Sequence, residues 1–120
     1  MQNHRKNYNH DRIQQTMLII MCNTLRDEIY DPVVKLATFT DLKLTNDYSE
    51  ARVLVDTYDR KNIDQVVESL TKAKGVFKTA LANQLEIRKI PELFFEKDVS
   101  IDQSLEIEKL IHDIHKKDNK

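Results

Sequence analysis

Cysteine is nearly absent from this chain: Cys22 is the only one in 120 residues. A lone thiol excludes an internal disulfide framework and a cysteine-based metal cluster, and the expected compartment is a reducing cytoplasm. Glycine is equally scarce, with Gly75 alone, so no P-loop, Gly-rich phosphate cradle or nucleophile elbow can be built. Long apolar runs are missing as well. The longest, Met17 to Cys22, is six residues, against the roughly 20 that cross a bilayer. Basic residues precede it, as in a secretory leader, but Asn23, Thr24 and Arg26 follow where a small-residue cleavage site would stand, and neither leader nor anchor is expected. Histidines are few and poorly placed for a metal: His112 and His115 stand at i, i+3 near a Lys-rich end, and His4 and His10 lie near the N-terminus. Glu106 and Glu108 are two apart on a predicted helix and do not face each other. Cys22 sits within an apolar run and is expected in the core. The chain is therefore expected to be no enzyme, with no metal, no cofactor and no small-molecule substrate.

What is present is a composition of 40% hydrophobic and 32% charged residues, the profile of one ordinary globular domain. A net charge of −1 conceals a strong asymmetry. Met1 to Arg12 is +2, from Arg5, Lys6 and Arg12 against Asp11. Arg60 to Lys89 is +4, with seven basic residues against three acids, and Ile90 to Ile114 is −5, with seven acids against Lys97 and Lys109. A basic middle beside an acidic end suits a protein with one anion-binding face. On charge alone, solvated helix faces are the better account of it.

Periodicity gives the elements. Ile13, Met17, Ile20, Met21, Thr24 and Leu25 form a helical stripe, Asp11 with Gln14 resembles a capping box, and Pro32 stops the helix by about Tyr30. The alternations Val34, Leu36, Thr38, Thr40, Leu42 and Ala51, Val53, Val55, Thr57 predict two strands, each set sharing a face. The polar turn Thr45 to Ser49 makes them a hairpin. Asn62 and Gln65 form a second capping pair. The stripe Ile63, Val66, Val67, Leu70, Ala73, Phe77, Ala80, Leu81, Leu85 then runs through Gly75. Pattern alone allows one helix of about 23 residues or two helices broken near Gly75, whose cost inside a helix is about 1 kcal/mol relative to Ala. Pro91 opens a third strand over Leu93 to Glu96, in which Phe94 and Phe95 must point to opposite faces. Ser100 and Gln103 cap a last helix with Ile107, Leu110, Ile111 and Ile114 on its stripe. Tyr48 and Tyr58 flank the second strand as packing or rim residues. The expected organisation is a flexible basic arm over 1–10, one domain over 11–114 and a polar tail over 115–120.

Several residues in this order resemble the ribosome-binding factor A family. Leu70 to Leu81, with Ala73-Lys74-Gly75 at its centre, is followed by Leu85 to Ser100, in which Arg88, Pro91, Leu93 and Phe95 make an R-x-x-P-x-L-x-F strand entry. Asp31-Pro32 and the run Asp47 to Val53 match too, and the resemblance extends from about Arg5 to Ile111. It implies an α+β, type II KH-like fold: a three-stranded sheet with helices packed on one face, in the order α-β-β-α-kink-α-β plus a C-terminal helix. The family replaces the Gly-x-x-Gly loop of KH domains with a kink, here Ala73 and Gly75 around Lys74. The implied partner is the small (30S) ribosomal subunit with its rRNA, on free immature particles, and the implied role is to assist late maturation and processing of that rRNA. The protein is expected to be cytoplasmic, monomeric and unattached to membranes. RNA contacts are expected from Lys72, Lys74, Lys78, Arg88 and Lys89, with Arg5, Lys6 and Arg12 in the arm. Two positions depart from the family pattern. Val33 replaces a common arginine and loses its charge, and Lys78 replaces an arginine, keeping charge but not the bidentate fork. The alternative is a protein–protein interaction module on a similar α+β frame with no RNA contact, which would bind independently of salt.

Overall fold

The computed structural model describes residues 2–100, with side chains described from residue 9 onward. Its elements are α1 (Gln2–Asp27), β1 (Ala37–Leu44), β2 (Glu50–Thr57), α2 (Ile63–Lys72), α3 (Lys74–Gln84) and β3 (Glu92–Lys97), with short 3-10 turns at Val34–Leu36 and Arg60–Asn62. The sheet runs β1-β2-β3. β1 pairs antiparallel with β2, as the hairpin requires, and β3 returns parallel to β2 after the two-helix crossover.

One face of the sheet carries the core. Phe39, Leu42, Val53, Val55, Leu93 and Phe95 are buried there, and the helices lay Met17, Ile20, Met21, Val66, Leu70, Phe77 and Leu81 over them. Phe39, Phe77 and Phe95 meet with ring centroids 5.6–6.0 Å apart, tying β1, α3 and β3 into one aromatic cluster. Ile13 and Val67, read from the stripe as buried, are half-buried at its margin.

Several local readings are corrected. In β1 the buried residues are Ala37, Phe39, Leu42 and Leu44, while Thr38 and Thr40 are exposed. The register shifts between Phe39 and Asp41, and that bulge at Thr40 inverts the alternation halfway along the strand. The expected face starting at Val34 and Leu36 also fails because these two residues lie in a 3-10 turn. Cys22 is exposed, not core: Met17, Ile20, Met21 and Thr24 fill the inward stripe of α1, and burial of part of its surface still pushes the thiol pKa up. Asn62 makes no side-chain cap; Asp59 instead accepts from Lys61 N–H at 3.1 Å to open the 3-10 turn.

The capping box of Asp11 and Gln14 is not formed, because α1 begins at Gln2, with no glycine or proline before Asp27 to interrupt it. Gln14 is not part of a cap. Its Oε1 accepts from the Leu44 N–H at 2.8 Å, and His10 Nε2–H donates to the Leu44 carbonyl at 2.7 Å. Two side chains of α1 thus satisfy the end of the edge strand β1. At the far end of β3, Asp98 is buried and accepts from Thr40 Oγ1 at 2.6 Å and from Ser100 N–H at 2.9 Å. Asp98 therefore caps the turn that Ser100 was expected to cap. The rest of the last helix, with Glu106, Glu108, His112 and His115, and the tail 115–120 lie outside the described residues.

Candidate nucleic-acid interface

The break between α2 and α3 falls on a single residue. Ala73 has φ −92° and ψ 5°, and its N–H is shared between the carbonyls of Ser69 at 3.1 Å and Leu70 at 3.0 Å. The chain thus divides into two helices, but the residue that leaves helical geometry is Ala73, and Gly75 sits inside the first turn of α3 without positive φ. A Cβ added to Gly75 meets nothing within 4 Å.

The lysines around this junction do not stand free. Lys74 Nζ donates to Glu92 Oε1 at 2.9 Å and Lys78 Nζ to Glu92 Oε2 at 3.2 Å. One glutamate at the start of β3 therefore clamps successive turns of α3. The two ammonium groups hold the Glu92 carboxyl below its ordinary value of 4.5, so it stays ionised at neutral pH. Lys72 is exposed and lies 3.5 Å from Glu68, one turn back on α2. A phosphate reaching Lys74 or Lys78 must compete with a carboxylate already in place.

Arg88 and Lys89 present the opposite arrangement. Both are exposed in the loop joining α3 to β3, and neither has an ion pair among the described residues. They edge a cleft of about 430 Å³, walled by Ile13 of α1, Ile87 of the loop, and Asp47, Tyr48 and Ser49 of the β1–β2 turn. The turn is held by Asp47, whose Oδ1 accepts from Ser49 Oγ at 2.7 Å, Thr45 Oγ1 at 2.9 Å and Ser49 N–H at 3.1 Å. These donors, Ser49 foremost, lower the Asp47 pKa to about 2. Tyr48 takes a left-handed backbone with φ 62°, uncommon for a residue with a Cβ, and its ring lies 5.6 Å from that of His10.

Arg12 is exposed on α1 next to Ile13, and the side chains of Arg5 and Lys6 lie outside those described. Of the eight cations read from the sequence, the structure thus places five in two settings, Lys72, Lys74 and Lys78 at the paired junction and Arg88 and Lys89 in a loop without ion pairs among the described residues. Sequence reasoning missed Glu92, Asp47 and Tyr48 as parts of these settings. Glu92 was legible only as one acid in an acidic stretch, and nothing local signals that it folds back onto α3. On the outer face of the sheet Phe94 is 42% exposed, beside Arg52, which lies 3.8 Å from Glu96. Among the described residues, no group of three His, Cys, Asp or Glu could hold a metal, and no helix is long and apolar enough to cross a membrane.

Comparison with known proteins agrees with this architecture. The sequence profile named Ribosome-binding factor A matches residues 9–111. Ribosome-binding factor A of Mycoplasma genitalium is 41% identical over 107 residues, covering 89% of this chain and 96% of that protein. The crystal structure of ribosome-binding factor A from Thermus thermophilus superposes with a TM-score of 0.61 at 21% identity, over 77% of this chain and 93% of that one. A homology model of the Thermus thermophilus factor, fitted into the cryo-EM map of a 30S complex, gives a TM-score of 0.55 at 20% identity over 76% and 92% of the two chains. These structures are KH-like, and the mixed three-stranded sheet found here has the same fold. With a profile match across nearly all of its length and a relative this similar, the chain belongs to the ribosome-binding factor A family.

Proposed function

We propose that this protein binds the small ribosomal subunit, contacts its rRNA through the face that carries Arg88 and Lys89, and assists late maturation and processing of that rRNA. Family membership carries the proposal, and the placement of the Thermus thermophilus factor in a 30S complex supports it. The protein acts as a cytoplasmic monomer and a binding factor: contact alone is required, and no bond need be made or broken. Unpaired cations at a cleft edge give up less on meeting a phosphate than lysines that must first leave a carboxylate. Arg88 and Lys89 are therefore the leading contacts, Arg12 the next, and Lys72, Lys74 and Lys78 contribute only after exchange with Glu68 and Glu92.

The test is cosedimentation of the purified chain with free small subunits across a salt series. On unpaired RNA each neutralised phosphate contributes about 0.7 to the slope of log affinity against log salt. Salt-dependent binding supports RNA contact. Depletion of the protein in its own cell should accumulate precursor small-subunit rRNA, and unchanged precursor levels would remove the maturation role. One observation favours the alternative of a protein-interaction module: the junction lysines are already neutralised by glutamates. Binding indifferent to salt would select that alternative.

A further inference from the structure

We infer that the cleft between α1, the β1–β2 turn and the α3–β3 loop takes one unstacked RNA nucleotide, its base against Tyr48 and its phosphate on Arg88 and Lys89. This rests on the RNA-binding role proposed above and assigns it a specific pocket, away from the helix junction.

Size and chemistry both fit. At about 430 Å³ the cleft lies in the range of small-ligand sites, about 300–1,000 Å³. Its apolar and aromatic wall residues are Ile13, Ile87 and Tyr48, suited to the face of a base, with Asp47 and Ser49 forming the polar side. Its rim carries two cations with no partner among the described residues. Apolar walls with a cationic rim match a nucleotide, which is flat and apolar at one end and anionic at the other.

The turn that carries Tyr48 is fixed in advance. Tyr48 N–H donates to the Thr45 carbonyl at 3.0 Å, and the Asp47 carboxylate braces the turn on either side of Tyr48. A residue held at φ 62° is kept there by its surroundings, and such conformations gather at functional sites. Asp47 also sets the direction of the ligand. Its carboxylate is ionised at neutral pH, with a pKa of about 2, and repels a phosphate from the turn. The phosphate is thereby directed to Arg88 and Lys89, leaving the turn side for the base.

The test uses the full chain, labelled for NMR and titrated with a single-stranded oligoadenylate about four nucleotides long, the span a KH-type groove holds. Amide shifts should concentrate at Asp47 to Ser49 and Ile87 to Lys89. Tyr48→Leu keeps apolar bulk in the turn and should weaken oligoadenylate binding about tenfold, within the range of losing one stacked base. Arg88→Gln with Lys89→Gln alters only exposed side chains, so folding is preserved, and should lower the salt slope by about 1.4. Shifts confined to residues 72–78, no shifts at all, or affinity unchanged in both variants would overturn the inference. Cosedimentation with small subunits separates the two claims. If the parent binds subunits and both variants bind as well as it does, the pocket and the Arg88–Lys89 face are wrong while the subunit-binding role stands. If the parent ignores subunits while the oligoadenylate still marks the cleft, the pocket stands and the role fails.

Discussion

At the α2–α3 junction Lys72, Lys74 and Lys78 face Glu68 and Glu92 across 2.9–3.5 Å; in the α3–β3 loop Arg88 and Lys89 face no carboxylate at ion-pair distance among the described residues. In the sequence the two groups belong to one basic segment, and the junction group is the denser. In the folded chain the order of availability reverses, because β3 brings Glu92 under α3. Cations already paired join elements together, whereas unpaired ones offer a surface to an anionic partner.

The largest effect expected from this contrast is on the loop. Arg88→Glu with Lys89→Glu should weaken small-subunit binding by at least about tenfold, flattening the salt dependence by about 1.4. Melting should hardly move, since exposed charges contribute about 0–1 kcal/mol. Lys74→Glu with Lys78→Glu should divide differently. It places two new carboxylates beside Glu92, so repulsion replaces the clamp and the melting temperature should fall, with a smaller loss of binding than in the loop variant. A melt unchanged from the parent would show that the Glu92 clamp is not formed in solution.

Glu92→Gln sharpens the comparison from the other side. Freeing Lys74 and Lys78 should tighten RNA binding severalfold and steepen the salt slope, by at most about 1.4 if both lysines find phosphates. Acid should not reproduce this between about pH 8 and about pH 5. The folded pKa of Glu92 is depressed below 4.5 by Lys74 first and then Lys78. Its stabilising effect is therefore present above the unfolded value and lost only as pH falls through the lower folded one. The smallest effect belongs to Gly75→Ala. With open space where the Cβ would go, the substitution should stabilise α3 by up to about 1 kcal/mol, seen as a higher melting temperature. A lower one would mean that the junction needs glycine after all.

Much of the fold is legible because periodicity survives burial. Val53, Val55, Leu70 and Phe77 are core residues on pattern alone, and the resemblance around Ala73-Lys74-Gly75 selects two helices over one. What escapes the sequence is tertiary. The bulge at Thr40 inverts a strand face, and the side chain of Thr40 joins Asp98 58 residues away. Gln14 and Leu44 meet across 30 residues, so a residue that looks like half of a helix cap closes a strand instead. Composition marks Gly75, the only glycine, as the break, while the backbone bends at Ala73, whose N–H the Ser69 and Leu70 carbonyls share. The candidate site follows the same division: its cations are visible in sequence, but which of them is spoken for depends on Glu92.

The most direct test of this account is the salt dependence of small-subunit binding for three proteins: the parent, Arg88→Gln with Lys89→Gln, and Lys74→Gln with Lys78→Gln. The account predicts that the loop pair lowers the slope by about 1.4, while the junction pair leaves it close to the parent. A slope that falls for the junction pair and holds for the loop pair would contradict it.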